Sequence, residues 1–169
     1  KKFKNLTVVC SCDAIETLGT YVRYPLAWTE FEENVKFVSE NANFLQFNLV
    51  ASNLTVHKLY ETCMWMKQYS KHIHLEVLRR PEVFSESAVP MDHRDVYVNA
   101  VKKLLKFPVS IYYATRFRNE VNYLIKKYLT ADYSKSLHGQ LRDEISEQDS
   151  HRSLKLNEVD SFLHSWIYT

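Results

Sequence analysis

The chain has 169 residues, 46% apolar and 14% aromatic, with 22 basic against 20 acidic side chains. That length suits one ordinary domain burying about 70% of the surface its unfolded chain exposes, and the apolar share excludes a disordered segment. A net charge of +2 gives no electrostatic reason to expect nucleic acid or a membrane, and two glycines, Gly19 and Gly139, exclude a glycine-rich phosphate loop.

Residues 5–13 read as a strand, β-branched and ending at Asp13. A helix is expected at 28–41, where Trp28, Phe31, Val35 and Val38 recur at helical spacing between charged residues. A second strand follows at 43–51, then a helix at 55–69 with Val56, Leu59, Tyr60 and Cys63 on one face, and a third strand at 72–78. The spacing allows helical connections, so the strands are expected to be parallel. Pro81 and Pro90 bracket a loop, and helices are expected at 94–106, 109–129, 132–148 and 156–168. The fold class is therefore α/β, with a β-α-β-α-β unit over 1–85 and an all-helical extension over 86–169 packed on it.

Residues two apart on a strand share a face. Thr7, Val9, Ser11 and Asp13 oppose Val8, Cys10 and Cys12; Gln46 and Asn48 oppose Leu45, Phe47 and Leu49; His72, His74 and Glu76 oppose Ile73, Leu75 and Val77. Right-handed connections put the helices on the apolar side. The polar face is then the lumen of a partial (β/α) barrel, with its site at the carboxyl ends of the strands, or a face met by water or by the later helices.

Three cysteines (Cys10, Cys12, Cys63) are too few for a secreted disulfide scaffold, and a reducing, cytoplasmic setting is expected. Asn5-Leu6-Thr7 and Asn53-Leu54-Thr55 are read as chance matches to the glycosylation pattern. No apolar run approaches the ~20 residues of a membrane span, and no signal-peptide pattern opens the chain. A first residue of Lys1 points to a processed, trimmed or partial chain.

Cys10-x-Cys12 invites a metal reading, but core cysteines are the simpler account, since no further Cys or His stands at ligand spacing. His72, His74 and Glu76 form either a divalent-ion set or a polar lining, and no metal is assigned. A hydrolase nucleophile elbow is absent from the sequence. Arg79-Arg80 and Lys126-Lys127 read as solvated helix faces rather than an RNA surface. The most specific arrangement is Ser11-Cys12-Asp13 at a strand end, followed by Tyr21-Val22-Arg23-Tyr24-Pro25. A hydroxyl and a guanidinium converging there make a carboxylate clamp; the alternative is Arg23 pairing with a local acid such as Glu16.

The run SCDAIETLGTYVRYPLAWTEFEENVKFV resembles the stretch that begins at the fourth strand of radical S-adenosylmethionine enzymes, nearest to those with SPASM or truncated "twitch" extensions. NLVASNLTVHKLYETCMWM resembles their fifth strand and helix, HIHLEVLRRPE their sixth strand, and EISEQDSHRSLKLNEVDSFL the D-x-x-R and final helices of phage and marine bacterial members. The resemblance implies half of a partial (β/α)6 barrel, three parallel strands with crossover helices, followed by a helical extension. It implies S-adenosylmethionine as cofactor, with its carboxylate held by Ser11 and Arg23, Asp13 beside them and Leu78 against the adenine. Asp13, Asn48, His74 and Glu76 would line the lumen where substrate is handled.

This chain lacks the C-x-x-x-C-x-x-C motif that holds the family's [4Fe–4S] cluster, Ala14 replaces a frequent glycine, and the SPASM cysteine sets are missing. The cluster is thus expected only in a full-length parent. The resemblance implies the carboxy-terminal half of such an enzyme, truncated or naturally split, inactive alone, and either homodimeric or partnered with an amino-terminal half. The rival readings are a non-catalytic α/β interaction module and a metal-dependent hydrolase built on His72, His74 and Glu76.

Overall fold

The computed structural model describes residues 5–169. Thr7–Ser11, Phe44–Ala51 and Ile73–Val77 form β1, β2 and β3, paired in parallel in the order β1-β2-β3. Parallel neighbours require long connections, because the chain must travel back along the sheet before the next strand starts. Here these are α1 (Glu16–Val22) and α2 (Trp28–Asn41), then a 3-10 turn at Val56–Lys58 leading into α3 (Leu59–Lys67). Short 3-10 turns after β3 lead to α4 (Arg94–Lys103), α5 (Ile111–Thr130), α6 (Lys135–His151), α7 (Leu156–Val159) and α8 (Ser161–Ile167). The described residues make a mixed, mostly helical α/β fold with eight α-helices.

The strand alternation becomes a burial alternation. Along β2, Leu45, Phe47, Leu49 and Ala51 are buried while Gln46, Asn48 and Val50 are half-buried. The apolar side meets α2 and α3 through an aromatic cluster, with Trp65 5.0 Å from Trp28 and 5.8 Å from Phe47 between ring centroids. The Trp65 indole N–H donates to Glu32 Oε1 at 2.8 Å, so the ring is buried without losing its polar partner. The core is continuous with the helical half, where Tyr97 stacks on Tyr128 at 4.8 Å and Trp166 is fully enclosed.

Three differences from the sequence-based expectation have local causes. Helix α1 is short, its apolar positions (Leu18, Tyr21) are few, and Gly19 at its centre hides it from a periodicity search. Gly19 is there for space: a Cβ would stand 2.6 Å from the Ala14 carbonyl oxygen and 3.1 Å from Trp28. The helix expected over 156–168 breaks at Asp160, whose extended backbone (φ −151°) ends α7 and whose carboxylate accepts the Leu163 N–H at 3.0 Å to cap α8. The last turn of the helix expected over 94–106 is a separate 3-10 turn, Leu104–Lys106.

The polar face of the sheet is divided. Helix α5 covers its β3 side, where Tyr113 lies 6.1 Å from both His72 and His74 and Arg116 pairs with Glu76 at 2.7 Å. On the β1 side Thr7, Val9 and Ser11 are exposed, Val9 by 51%. Asn53 is 1% exposed and its amide donates to the carbonyls of Val83 and Ser85, so folding occupies the second glycosylation-like asparagine with a loop contact.

Candidate functional site

In parallel register, Ser11 stands opposite Asn48, and Asn48 opposite His74. One rung thus carries three of the residues singled out from the sequence, with neighbouring strands about 4.8 Å apart. The rung is tied to its surroundings: Gln46 Nε2 donates to Asn48 Oδ1 at 2.7 Å, and the Tyr113 hydroxyl donates to Gln46 Oε1 at 2.5 Å. His74 Nε2 and His72 Nδ1 are buried and have no hydrogen-bond partner. Glu76 sits beyond the rung, opposite Val50, and is engaged by Arg116. Among the described residues no group of three or more His, Cys, Asp or Glu could hold a metal ion.

Asp13 lies where β1 leaves the sheet, and both its oxygens are used. Oδ1 accepts the Val50 N–H at 3.0 Å, standing in for the next strand carbonyl, and Oδ2 pairs with Arg23 Nη2 at 2.9 Å. Arg23, at the end of α1, therefore turns back to the strand end and pairs with Asp13 rather than with Glu16. Its Nε–H is buried without an acceptor. Asp13 thus positions a guanidinium that keeps unused donors, while Ser11 presents its hydroxyl on the exposed face two residues earlier.

Beside this pair is a cavity of about 380 Å³ at the carboxyl ends of the strands. Asp13 follows β1, Val50 and Ser52 close β2, and Leu78 follows β3; all four are in its wall, with Phe84 flanking Leu78. The helical half supplies Gln148 and Arg152. The Arg152 guanidinium lies over the rings of Tyr21 (5.2 Å) and Tyr24 (5.4 Å) and donates to the Tyr21 carbonyl at 2.8 Å. Asp149 accepts the Tyr21 hydroxyl at 2.8 Å. Burial, and then the Asp149 carboxylate, push the Tyr21 phenol well above its ordinary range, so it remains a donor.

Sequence reasoning named Asp13 and Leu78 among the site residues and missed Arg152, Gln148 and Tyr21. Asp149 and Arg152 stand in the D-x-x-R element, Asp149 in the last turn of α6 and Arg152 as the extended residue that ends it, which was the available signal. Their partner, Tyr21, is far away in sequence, and only the tertiary fold brings the two motifs together.

The thiols are poorly suited to an iron–sulfur cluster, which needs thiolates. Burial, and then the Asp13 charge, push Cys12 up to about 12; burial also raises Cys10 and Cys63. Cys12 donates to the Ala14 carbonyl at 3.2 Å and belongs to the core. No family model, curated protein or solved structure matches this chain.

Proposed function

We propose that this chain binds S-adenosylmethionine at the carboxyl ends of its strands and is the carboxy-terminal part of a radical S-adenosylmethionine-type partial barrel. The single observation that carries the reading is Arg23, held at the strand end by Asp13 with a buried, unpartnered Nε–H, behind a cavity wall that includes Asp13, Val22 and Leu78 but not Arg23 itself. A guanidinium matches the planar fork of a carboxylate, and Arg23 has one Nε–H not committed to Asp13. The Ser11 hydroxyl is exposed at the strand end outside the cavity wall, and Leu78 with Phe84 offers an apolar wall for a purine. Arg152, over the rings of Tyr21 and Tyr24, adds a second guanidinium to the cavity wall. S-adenosylmethionine supplies an electrophilic sulfonium when bound; the chain's own part is to grip the carboxylate, orient the nucleoside and exclude water. The cysteines do not fit a cluster, so no reductive step is assigned to this chain.

Equilibrium dialysis of the full chain against radiolabelled S-adenosylmethionine tests the reading. Saturable retention, weakened about tenfold or more by Arg23→Gln and less by Ser11→Ala, is expected from loss of a charge-assisted pair. Absence of retention at millimolar ligand, or an Arg23→Gln protein that binds unchanged, contradicts it.

A second reading, a module that pairs with another chain, is favoured by one specific feature. Strand β1 is an edge, and residues 5–12 carry no charge to discourage further pairing. Ile111 and Tyr112, 86% and 85% exposed, stand at the start of the helix whose Tyr113 reaches Gln46, beside Val9 in register. The half-barrel reading expects the same edge to be used, by a second copy or by an amino-terminal half.

A further inference from the structure

The corner where α4 turns into α5 carries a local charge that the whole-chain figure of +2 hides. Between Asp95 and Glu120 there is no acidic residue, while Lys102, Lys103, Lys106, Arg116 and Arg118 stand in that stretch, all of them exposed. The Ser110 N–H donates to the Lys71 carbonyl at 2.8 Å, which sets the corner against the segment joining α3 to β3, and the Lys71 side chain is exposed there too. Among the described residues, Arg116 alone of these cations pairs with a carboxylate, that of Glu76. Between the lysines and the arginines stand apolar side chains that the fold leaves uncovered. Ile111 and Tyr112, in the first turn of α5, are 86% and 85% exposed, and Leu105 in the turn before them is 40% exposed. The base beneath them is packed: Phe107 is buried with its ring 6.0 Å from Phe117 and 6.4 Å from Tyr60, and Tyr113 anchors the start of α5 through Gln46. Ile111 and Tyr112 are therefore held out into solvent from a fixed base.

Charge and apolarity together select the occupant. A second copy docking symmetrically at this corner would set lysines against lysines, an arrangement that costs energy. A nucleic acid would satisfy the cations and leave Ile111 and Leu105 in water. An anionic bilayer satisfies both: its headgroups take the cations, and the boundary beneath them takes the apolar tips, where a tyrosine keeps its ring dry and its hydroxyl wet. We propose that the α4–α5 corner docks on an anionic lipid surface, with Ile111 and Tyr112 entering the headgroup boundary and Lys102, Lys103, Lys106 and Arg118 lying over it. Each basic residue held near such a surface strengthens binding about fivefold, so the cations supply most of the attraction and salt weakens it. No helix among the described residues is long and apolar enough to cross a membrane, and the contact proposed is with its surface. The inference stands independently of the S-adenosylmethionine reading.

The test is co-sedimentation of the full chain with sucrose-loaded vesicles, made either of equal parts phosphatidylserine and phosphatidylcholine or of phosphatidylcholine alone. Sedimentation with the phosphatidylserine vesicles only, lost in ~0.5 M sodium chloride, is expected. Lys102→Glu with Lys106→Glu should weaken it about tenfold or more, and Ile111→Ser with Tyr112→Ser severalfold. All four side chains are exposed, so these variants separate binding from folding. Equal sedimentation with both kinds of vesicle, or with neither, overturns the proposal. So does binding that Ile111→Ser with Tyr112→Ser leaves unchanged, whether the same variant dissociates a dimer, as a contact between copies requires, or does nothing, as a site for a polyanion such as poly(U) requires.

Discussion

At the scale of single residues, the fold depends on places where a side chain's size or charge has no slack. Gly19 is the sharpest case, because an added methyl would meet a backbone oxygen that cannot swing away. Gly19→Ala is expected to destabilise the protein by about 2 kcal/mol, as overpacking of a closed site does, read from urea denaturation midpoints. Asp160 gives a pH dependence with a defined sign. Its carboxyl is lowered in the folded chain, so its contribution is full above the unfolded value of about 3.9 and is lost as pH falls through the lower folded value. Thermal stability should therefore decline on the acid side, and Asp160→Asn should flatten that decline while lowering stability at neutral pH. The cysteines, raised by burial, should resist iodoacetamide in the native chain and react only after unfolding. Fast modification of Cys12 at neutral pH would show that its packing is misjudged.

At the scale of elements, the motifs matter through how they interlock. The D-x-x-R segment of α6 grips α1 twice, through Asp149 on the Tyr21 hydroxyl and Arg152 on the Tyr21 carbonyl and ring. Tyr21→Phe removes one hydrogen bond and should cost about 1 kcal/mol, and coupling to Asp149→Asn in a double-mutant cycle should be positive. Periodicity made the strands and the long helices legible in the sequence, because each has a full apolar stripe: Phe47, Leu49 and Leu45 on β2, Val121, Leu124 and Tyr128 on α5. It could not show α1, held by tertiary contacts around a glycine, or the break at Asp160, where a single capping carboxylate outweighs an unbroken apolar pattern. The strand-end position of Asp13 was visible from the alternation, whereas the Asp13–Arg23 pair was not, since chemistry alone favoured a local Glu such as Glu16.

At the scale of the whole molecule, the asymmetry of the sheet is the notable property. Its apolar side is closed by α2 and α3, its polar side is half-closed by α5, and the β1 edge with Val9 is open. An uncharged edge, with Ile111 and Tyr112 exposed elsewhere on the surface, should drive association. Light scattering at micromolar concentration is expected to report a dimer, and Val9→Lys to shift it to monomer; a monomer for the unsubstituted chain would count against use of this edge by a second copy. The same openness leaves Ser11 exposed at the β1 end of the Ser11–Asn48–His74 rung, while α5 covers its His74 end.

The central claim is that Arg23 waits for a carboxylate. Calorimetric titration of the full chain with S-adenosylmethionine and with its decarboxylated analogue tests this most directly, because the two ligands differ at the group Arg23 is meant to hold. The account predicts saturable heat with S-adenosylmethionine and binding about tenfold weaker, or more, for the analogue, as expected for loss of a charge-assisted hydrogen-bonded pair. Equal binding of the two, or none of either, would contradict it.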